Sequence, residues 1–324
     1  WYQGTADAVR QSMHHLLRHD FEYVLVLSGD QLYQMDFNEM IKAHEESGAE
    51  ITVATQPVNA KEATSFGILK TDENSFISSF TEKPNSEQLQ GWESPVSEDM
   101  EKEGRHYLAS MGIYVFNKDL LIDIMNEPTK VDFGKEIIPD AIEKHKTLGY
   151  QFEGYWTDIG NIDSFFEANI GLTDNIPKFN LYDNMQRIYT HARILPTTKM
   201  SGLCEKTVVA EGCIIHAAKI ERSVIGIRSR IGKESTIINC YMMGADYYES
   251  LEDVEKHHID TWMGVGERCF LKNVIIDKNC RIGDDVRING GKHLADTETE
   301  EYVIKDGIVV IKKGAVIPRG TVIN

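Results

Sequence analysis

Aliphatic residues return every six positions through the last third of the chain. They fall at Val209 and Ile215, at Ile225, Ile231 and Ile237, at Ile276, Ile282 and Ile288, and at Ile311, Ile317 and Ile323. Small or polar residues follow several of them, as in Ile225-Gly226, Ile231-Gly232 and Ile282-Gly283, and Ile317 is followed by Pro318. A period of six suits neither a helix nor a hairpin sheet. It suits a coil of short parallel strands in which one inward aliphatic marks each side of the turn. The fifth position of each hexad is small (Cys213, Ser229, Ser235, Cys280, Ala315, Thr321), as expected of a second inward position at a crowded corner. The period breaks over 245–263 and over 292–303, both polar and charged, and such insertions are expected as loops on one face of the coil.

The front of the chain patterns differently. Thr5 is expected to cap a helix over 6–18, with Asp7 in its first turn and Val9, Met13, Leu16 and Leu17 as the apolar stripe. The apolar run 22–27 has strand length and ends abruptly in Ser28-Gly29-Asp30. A run without alternation belongs to a strand buried on both faces, hence a mainly parallel sheet between helices. Helical patterns over 37–47, 119–125 and 137–144 alternate with strand patterns over 51–58, 76–80 and 112–116. That alternation predicts a doubly wound α/β domain over 1–175, a linker over 176–200, and the coil over 201–324. The polar, acidic stretch 85–105 is long for a loop and is expected to be mobile.

Composition adds bounds. With 324 residues, two domains fit, each large enough for its own core. Hydrophobic residues make up 41% of the chain, which excludes a disordered protein, and no apolar run approaches the ~20 residues that cross a bilayer. The opening residues lack a signal-peptide pattern, so a cytoplasmic location is expected. The formal net charge of −17 excludes non-specific binding to nucleic acid or to an anionic membrane, and an anionic substrate would need a local positive pocket. The five cysteines, odd in number and without a C-x-x-C pair, read as reduced packing residues.

Candidate chemistry collects at strand ends, where open parallel sheets bind ligands. Asp30 follows a buried-strand pattern and a glycine; Asp158 stands in Tyr155-Trp156-Thr157-Asp158-Ile159-Gly160. Either could be a turn aspartate, but two such carboxylates converging make a minimal Mg²⁺ site, completed by phosphate oxygens and water. In Thr81-Glu82-Lys83-Pro84 the lysine could neutralise a phosphate and the glutamate accept from sugar hydroxyls, against the alternative of a solvated ion pair at a turn. Gly67 and Ser110, in Ser65-Phe66-Gly67 and Ser110-Met111-Gly112, sit where backbone could meet a ligand. His14 and His15 are adjacent on a helix, face apart, and read as surface residues.

Taken together, W-Y-Q-G-T-A-D-A-V from Trp1, L-S-G-D to Asp30, F-G-I from Phe66, E-K-P from Glu82 and S-M-G-I-Y-V-F from Ser110 resemble the sugar-phosphate nucleotidyltransferases. D-F-G-K from Asp132, Y-W-T-D-I-G from Tyr155 and M-G-A-D-Y-Y-E from Met243 continue the resemblance, which runs through essentially the whole chain. It is most similar to the glucose-1-phosphate adenylyltransferase branch. The resemblance implies a Rossmann-like domain, a left-handed β-helix, and transfer of adenylate from ATP to glucose 1-phosphate with release of diphosphate. It implies Asp30 and Asp158 on the catalytic Mg²⁺, Lys83 on the sugar phosphate beside Glu82, Gly67 and Ser110 completing the sugar site, and Tyr2 and Gly4 flanking the nucleotide. It further implies a homotetramer regulated by small anionic metabolites, with Arg193 and Lys313 matching effector positions and Lys256 a weaker match.

The sequence departs from that family in one respect: it holds no G-G-G-x-G-T-R-L-like phosphate loop. The expectation is therefore a domain lacking its N-terminal part and inactive as it stands. A related enzyme using another nucleotide, a non-catalytic regulatory subunit, and a hexapeptide-repeat acyltransferase acting through His216 are the alternatives. The last leaves the front domain unexplained.

Overall fold

A computed structural model describes residues 1–250, 252, 255 and 261–324. The chain packs as two units, one made of Trp1–Gly29 and Tyr33–Trp156, the other of Asp30–Leu32 and Thr157–Asn324.

The elements run α1 (Thr5–Leu16), β1 (Tyr23–Val26), β2 (Gln31–Tyr33), α2 (Phe37–Ser47), β3 (Ile51–Val58), α3 (Ala60–Ala63), β4 (Gly67–Thr71) and β5 (Ile77–Glu82). There follow α4 (Glu98–Lys102), β6 (Tyr107–Asn117), α5 (Lys118–Met125), a π-helical turn (Phe133–Ile137), α6 (Ile138–Lys144), β7 (Thr147–Gln151), β8 (Trp156–Asp158) and α7 (Ile162–Gly171). Local chemistry explains the sharpest boundaries. The Asp36 carboxylate accepts the Asn38 N–H to start α2, and Gly48 ends it in the left-handed conformation at φ 62°.

In the first unit the strands lie in the order β5-β4-β6-β3-β7, with β1 also on β6. The α/β class is as expected, but the sheet is less parallel than the apolar runs suggested. The β3–β7 ladder is parallel, whereas β1–β6, β3–β6, β4–β5 and β4–β6 are antiparallel. The run at 22–27 misled because β1 is half-buried, while β3 is buried at every position and carries the core with Phe116, Leu108 and Leu69.

One local expectation is corrected. Gly4, not Thr5, precedes α1; the Thr5 hydroxyl instead accepts the Phe133 N–H (3.1 Å) and donates to Asp132 (3.4 Å). The 85–105 stretch, mostly exposed, is anchored at two points: Leu89 is buried with Val58 and Ile68, and the buried Ser94 hydroxyl accepts the Thr71 N–H.

The second unit winds the hexads into three columns of stacked side chains. One climbs through Ile215, Ile231, Val265, Ile282 and Ile317, another through Ile220, Ile237, Leu271, Ile288 and Ile323, the third through Val209, Ile225, Met242, Ile276 and Ile311. Nearly all are buried, as the six-residue period predicts. The small fifth positions serve the corners: Ser235 donates to the Gly266 carbonyl (2.8 Å) and accepts the Cys269 N–H (3.0 Å). Cys213, Cys240, Cys269 and Cys280 are buried free thiols, with Cys240 pushed up to about 12 by desolvation. The 292–303 interruption is not wholly a loop, since strands at 297–298 and 302–305 extend the sheet as an antiparallel hairpin on Ile308–Ile311. The α7 helix lies against this coil through Phe166 and Ile170, with Phe165 edge-on to Tyr241. The 174–198 segment has no regular structure. Among the described residues no helix is long and apolar enough to cross a membrane.

Candidate active site

In the first unit, three of the expected sugar-phosphate residues meet at one corner of the sheet. Gly67 opens β4 directly opposite Glu82 at the end of β5, and a Cβ at Gly67 would lie 2.9 Å from Glu82 Oε2 and 2.8 Å from the Phe80 ring. Only glycine leaves that carboxylate in place. The next strand brings Ser110, because Ile68 pairs with Ala109.

Ser110 sits at an irregularity. The β3–β6 register passes from Thr55–Ser110 to Val53–Tyr114, so β6 carries two extra residues, and Gly112 takes up the bulge at φ 67°. That bulge is the physical content of S-M-G. It brings the Ser110 side chain near the buried Tyr114 hydroxyl. Burial pushes Tyr114 up to about 12; the Ser110 side chain opposes this, and the nearby Asp132 and Glu82 carboxylates add to it. Tyr114 also stacks on Phe133 at 5.5 Å between ring centroids.

Tyr114 and Asp132 are members of this corner to which the sequence reading assigned no role. Both stood inside quoted motifs, and in the structure the Asp132 and Glu82 carboxylates lie near enough to Tyr114 for their charges to act on it. Lys83 is exposed just beyond β5, with φ 46°, and its N–H donates to the Phe66 carbonyl (3.0 Å). A left-handed non-glycine residue costs about 1 kcal/mol, and such positions concentrate at functional sites.

In the second unit, Asp30 and Asp158 come together. The Asp30 carbonyl accepts the Ile159 N–H (3.0 Å), and Asp158 Oδ1 accepts the Gly160 N–H (2.6 Å). A Cβ at Gly160 would lie 2.9 Å from Asp158 Oδ1 and 3.5 Å from Asp30 Oδ2, so both carboxylates edge the same point. Nothing lies within 4 Å of a Cβ at Gly29, so its expected close approach is not to this chain. Among the described residues no group of three or more His, Cys, Asp or Glu side chains could hold a metal ion. A two-carboxylate donor set fits Mg²⁺, which keeps its waters and takes phosphate oxygens, better than it fits Zn²⁺ or Ca²⁺ in an all-protein cage.

Tyr2 is exposed. Gly4 packs against the Val131 carbonyl, which also accepts the Ala6 and Asp7 N–H groups, giving this glycine a structural reason of its own. Arg193 is exposed and donates to the His191 carbonyl (3.2 Å), while Lys313 lies on an exposed turn near Asp246, whose carboxyl is held below its ordinary range chiefly by hydrogen bonds from Lys278 and Asn279, with Lys313 adding a little. Among the described residues no hydrogen bond or ion pair joins the two. Lys256 lies outside the described residues.

Comparison with known families gives two matches. The nucleotidyl transferase family matches residues 2–175, and the GLGC left-handed parallel β-helix domain matches residues 193–322. The stretch between them is the one without regular structure.

Proposed function

Because the chain belongs to the nucleotidyl transferase family, with a GLGC-type left-handed β-helix behind that domain, we propose that it serves the synthesis of ADP-glucose from ATP and α-D-glucose 1-phosphate, releasing diphosphate, for glucan synthesis. The observation that carries the sugar-phosphate part is the corner where Gly67 makes room for the Glu82 carboxylate beside Ser110 and Tyr114. The β-helix match favours adenylyl transfer over the related enzymes that use other nucleotides.

In this reading the Lys83 ammonium meets the phosphate of glucose 1-phosphate, and the Glu82 carboxylate accepts from sugar hydroxyls. The Ser110 hydroxyl, beside Tyr114, completes the sugar contacts. Asp30 and Asp158 hold Mg²⁺, which neutralises charge on the nucleotide phosphates when bound. The chemistry asks for two polyanions to be aligned with their charges screened, so fixed charges and geometry matter more than an acid–base pair. Tyr2 and Gly4 flank the nucleotide, and Arg193 and Lys313 receive anionic effectors of a cytoplasmic homotetramer.

Product binding tests the nucleotide assignment. Calorimetric titration with ADP-, UDP-, dTDP- and GDP-glucose in the presence of Mg²⁺ is expected to show ADP-glucose binding at least tenfold more tightly than the others, with Asp30→Ala removing the Mg²⁺ dependence. Equal or tighter binding of another sugar nucleotide contradicts the assignment, and an unchanged Mg²⁺ dependence in Asp30→Ala contradicts the metal site.

A further inference from the structure

The 245–263 interruption does more than leave the coil. Its two ends are clamped to it: the buried Glu249 carboxylate pairs with Arg281 and accepts the Met263 N–H (2.6 Å), while Arg281 also donates to the Thr261 carbonyl (2.8 Å). Between these ends and the coil lies an open cleft of about 90 Å³.

Two arginines of the coil, Arg228 and Arg230, line that cleft, and each lies over an aromatic ring from the interruption. The Arg228 guanidinium is 5.7 Å from the Tyr248 ring centroid and that of Arg230 is 4.6 Å from the Trp262 ring centroid. The Tyr248 ring is itself pinned, its hydroxyl donating to the Gly212 carbonyl (2.8 Å), and Arg228 donates to the Ala245 carbonyl (3.3 Å). Among the described residues neither arginine has a carboxylate within ion-pair distance. Among the described residues the lining has two acidic side chains, each with a partner: Glu249 pairs with Arg281 and accepts the Met263 N–H, and Asp277 accepts the Lys278 N–H (2.6 Å).

A guanidinium whose face is covered by a ring keeps its N–H edge for a ligand. Because the ring also fixes its plane, less freedom is lost when the fork closes on an oxyanion. Two such forks lining one cleft suit a group with several acceptor oxygens and more than one negative charge. We propose that this cleft binds a phosphate group, free or as a small phosphate ester, on Arg228 and Arg230. It shares no residue with the sugar-phosphate corner, the carboxylate pair or the positions of Arg193 and Lys313, and it stands whether or not the chain makes ADP-glucose.

The test is calorimetric titration of the Lys83→Ala chain at low ionic strength, so that the sugar-phosphate corner does not contribute. Inorganic phosphate is one probe and glycerol 3-phosphate the other, separating free phosphate from an ester. Saturable binding of at least one is expected, weakened at least tenfold by Arg228→Gln and by Arg230→Gln, and changed less than twofold by Arg193→Gln or Lys313→Gln. Each variant's thermal unfolding is compared with that of the Lys83→Ala chain. If an arginine variant is misfolded, Trp262→Leu, which uncovers Arg230 while keeping both charges, must weaken binding severalfold. Absence of saturable binding by either probe, arginine variants that bind as the starting chain does, or loss that follows Arg193 or Lys313 instead overturns the proposal.

Discussion

At the scale of single residues, the corner at Gly67 is a problem of fit, beside a tyrosine kept out of water. Gly67→Ala places a methyl group against the Glu82 carboxylate and the Phe80 ring. It is expected to weaken glucose 1-phosphate binding roughly tenfold, about 1.4 kcal/mol, measured by calorimetry. Tyr114 makes a prediction about pH. Its pKa in the folded chain is raised to about 12, so between pH ~10 and ~12 the unfolded chain loses this proton while the folded chain keeps it. Stability that is intact below pH ~10 is therefore lost across that window, by up to about 2–3 kcal/mol from this residue. Denaturant unfolding followed from pH 9 to 12 should fall less steeply in Tyr114→Phe, and an identical slope would contradict the burial argument. Of this corner, E-K-P and F-G were legible as sequence because lysine, glutamate and glycine advertise their chemistry. Tyr114 and Asp132 were not, since a tyrosine in an apolar run reads as core until a two-residue bulge turns a serine toward it.

At the scale of elements, the chain shows which patterns are self-sufficient. The six-residue period specifies the coil almost completely, because each aliphatic stacks on its counterpart one turn away and the register repeats without reference to distant sequence. The helix over Phe37–Ser47 and the strand over Ile51–Val58 were likewise readable, and in the structure Asp36 and Gly48 close the ends of the helix while the strand is buried throughout. Strand direction was not. Whether neighbours run parallel depends on which strands meet, and β6 reaches β1, β3 and β4 in a way no local run encodes.

Two substitutions probe the coil itself. Ile231→Ala, in a fully buried column, is expected to cost about 2–5 kcal/mol in denaturant unfolding of the β-helix. Glu249→Gln leaves Arg281 without its charge partner in a largely buried pair and is expected to cost about 3 kcal/mol. Wild-type stability in either would mean that the coil packs differently there.

At the scale of the whole molecule, a net charge of −17 makes the handling of anionic substrates a local matter. Lys83 supplies the positive charge at the corner, and the carboxylate pair fits a metal ion that would supply more. The claim on which the functional reading rests is that the Gly67–Glu82–Ser110 corner, with Lys83, receives a sugar phosphate. Its most direct test is calorimetric titration of the chain with glucose 1-phosphate in the presence of Mg²⁺, alongside Lys83→Ala. Saturable binding that weakens about 10–100-fold in Lys83→Ala, the loss of one charge-assisted contact, is the predicted result. Binding of equal strength in the two chains, or none in the parent, would contradict it.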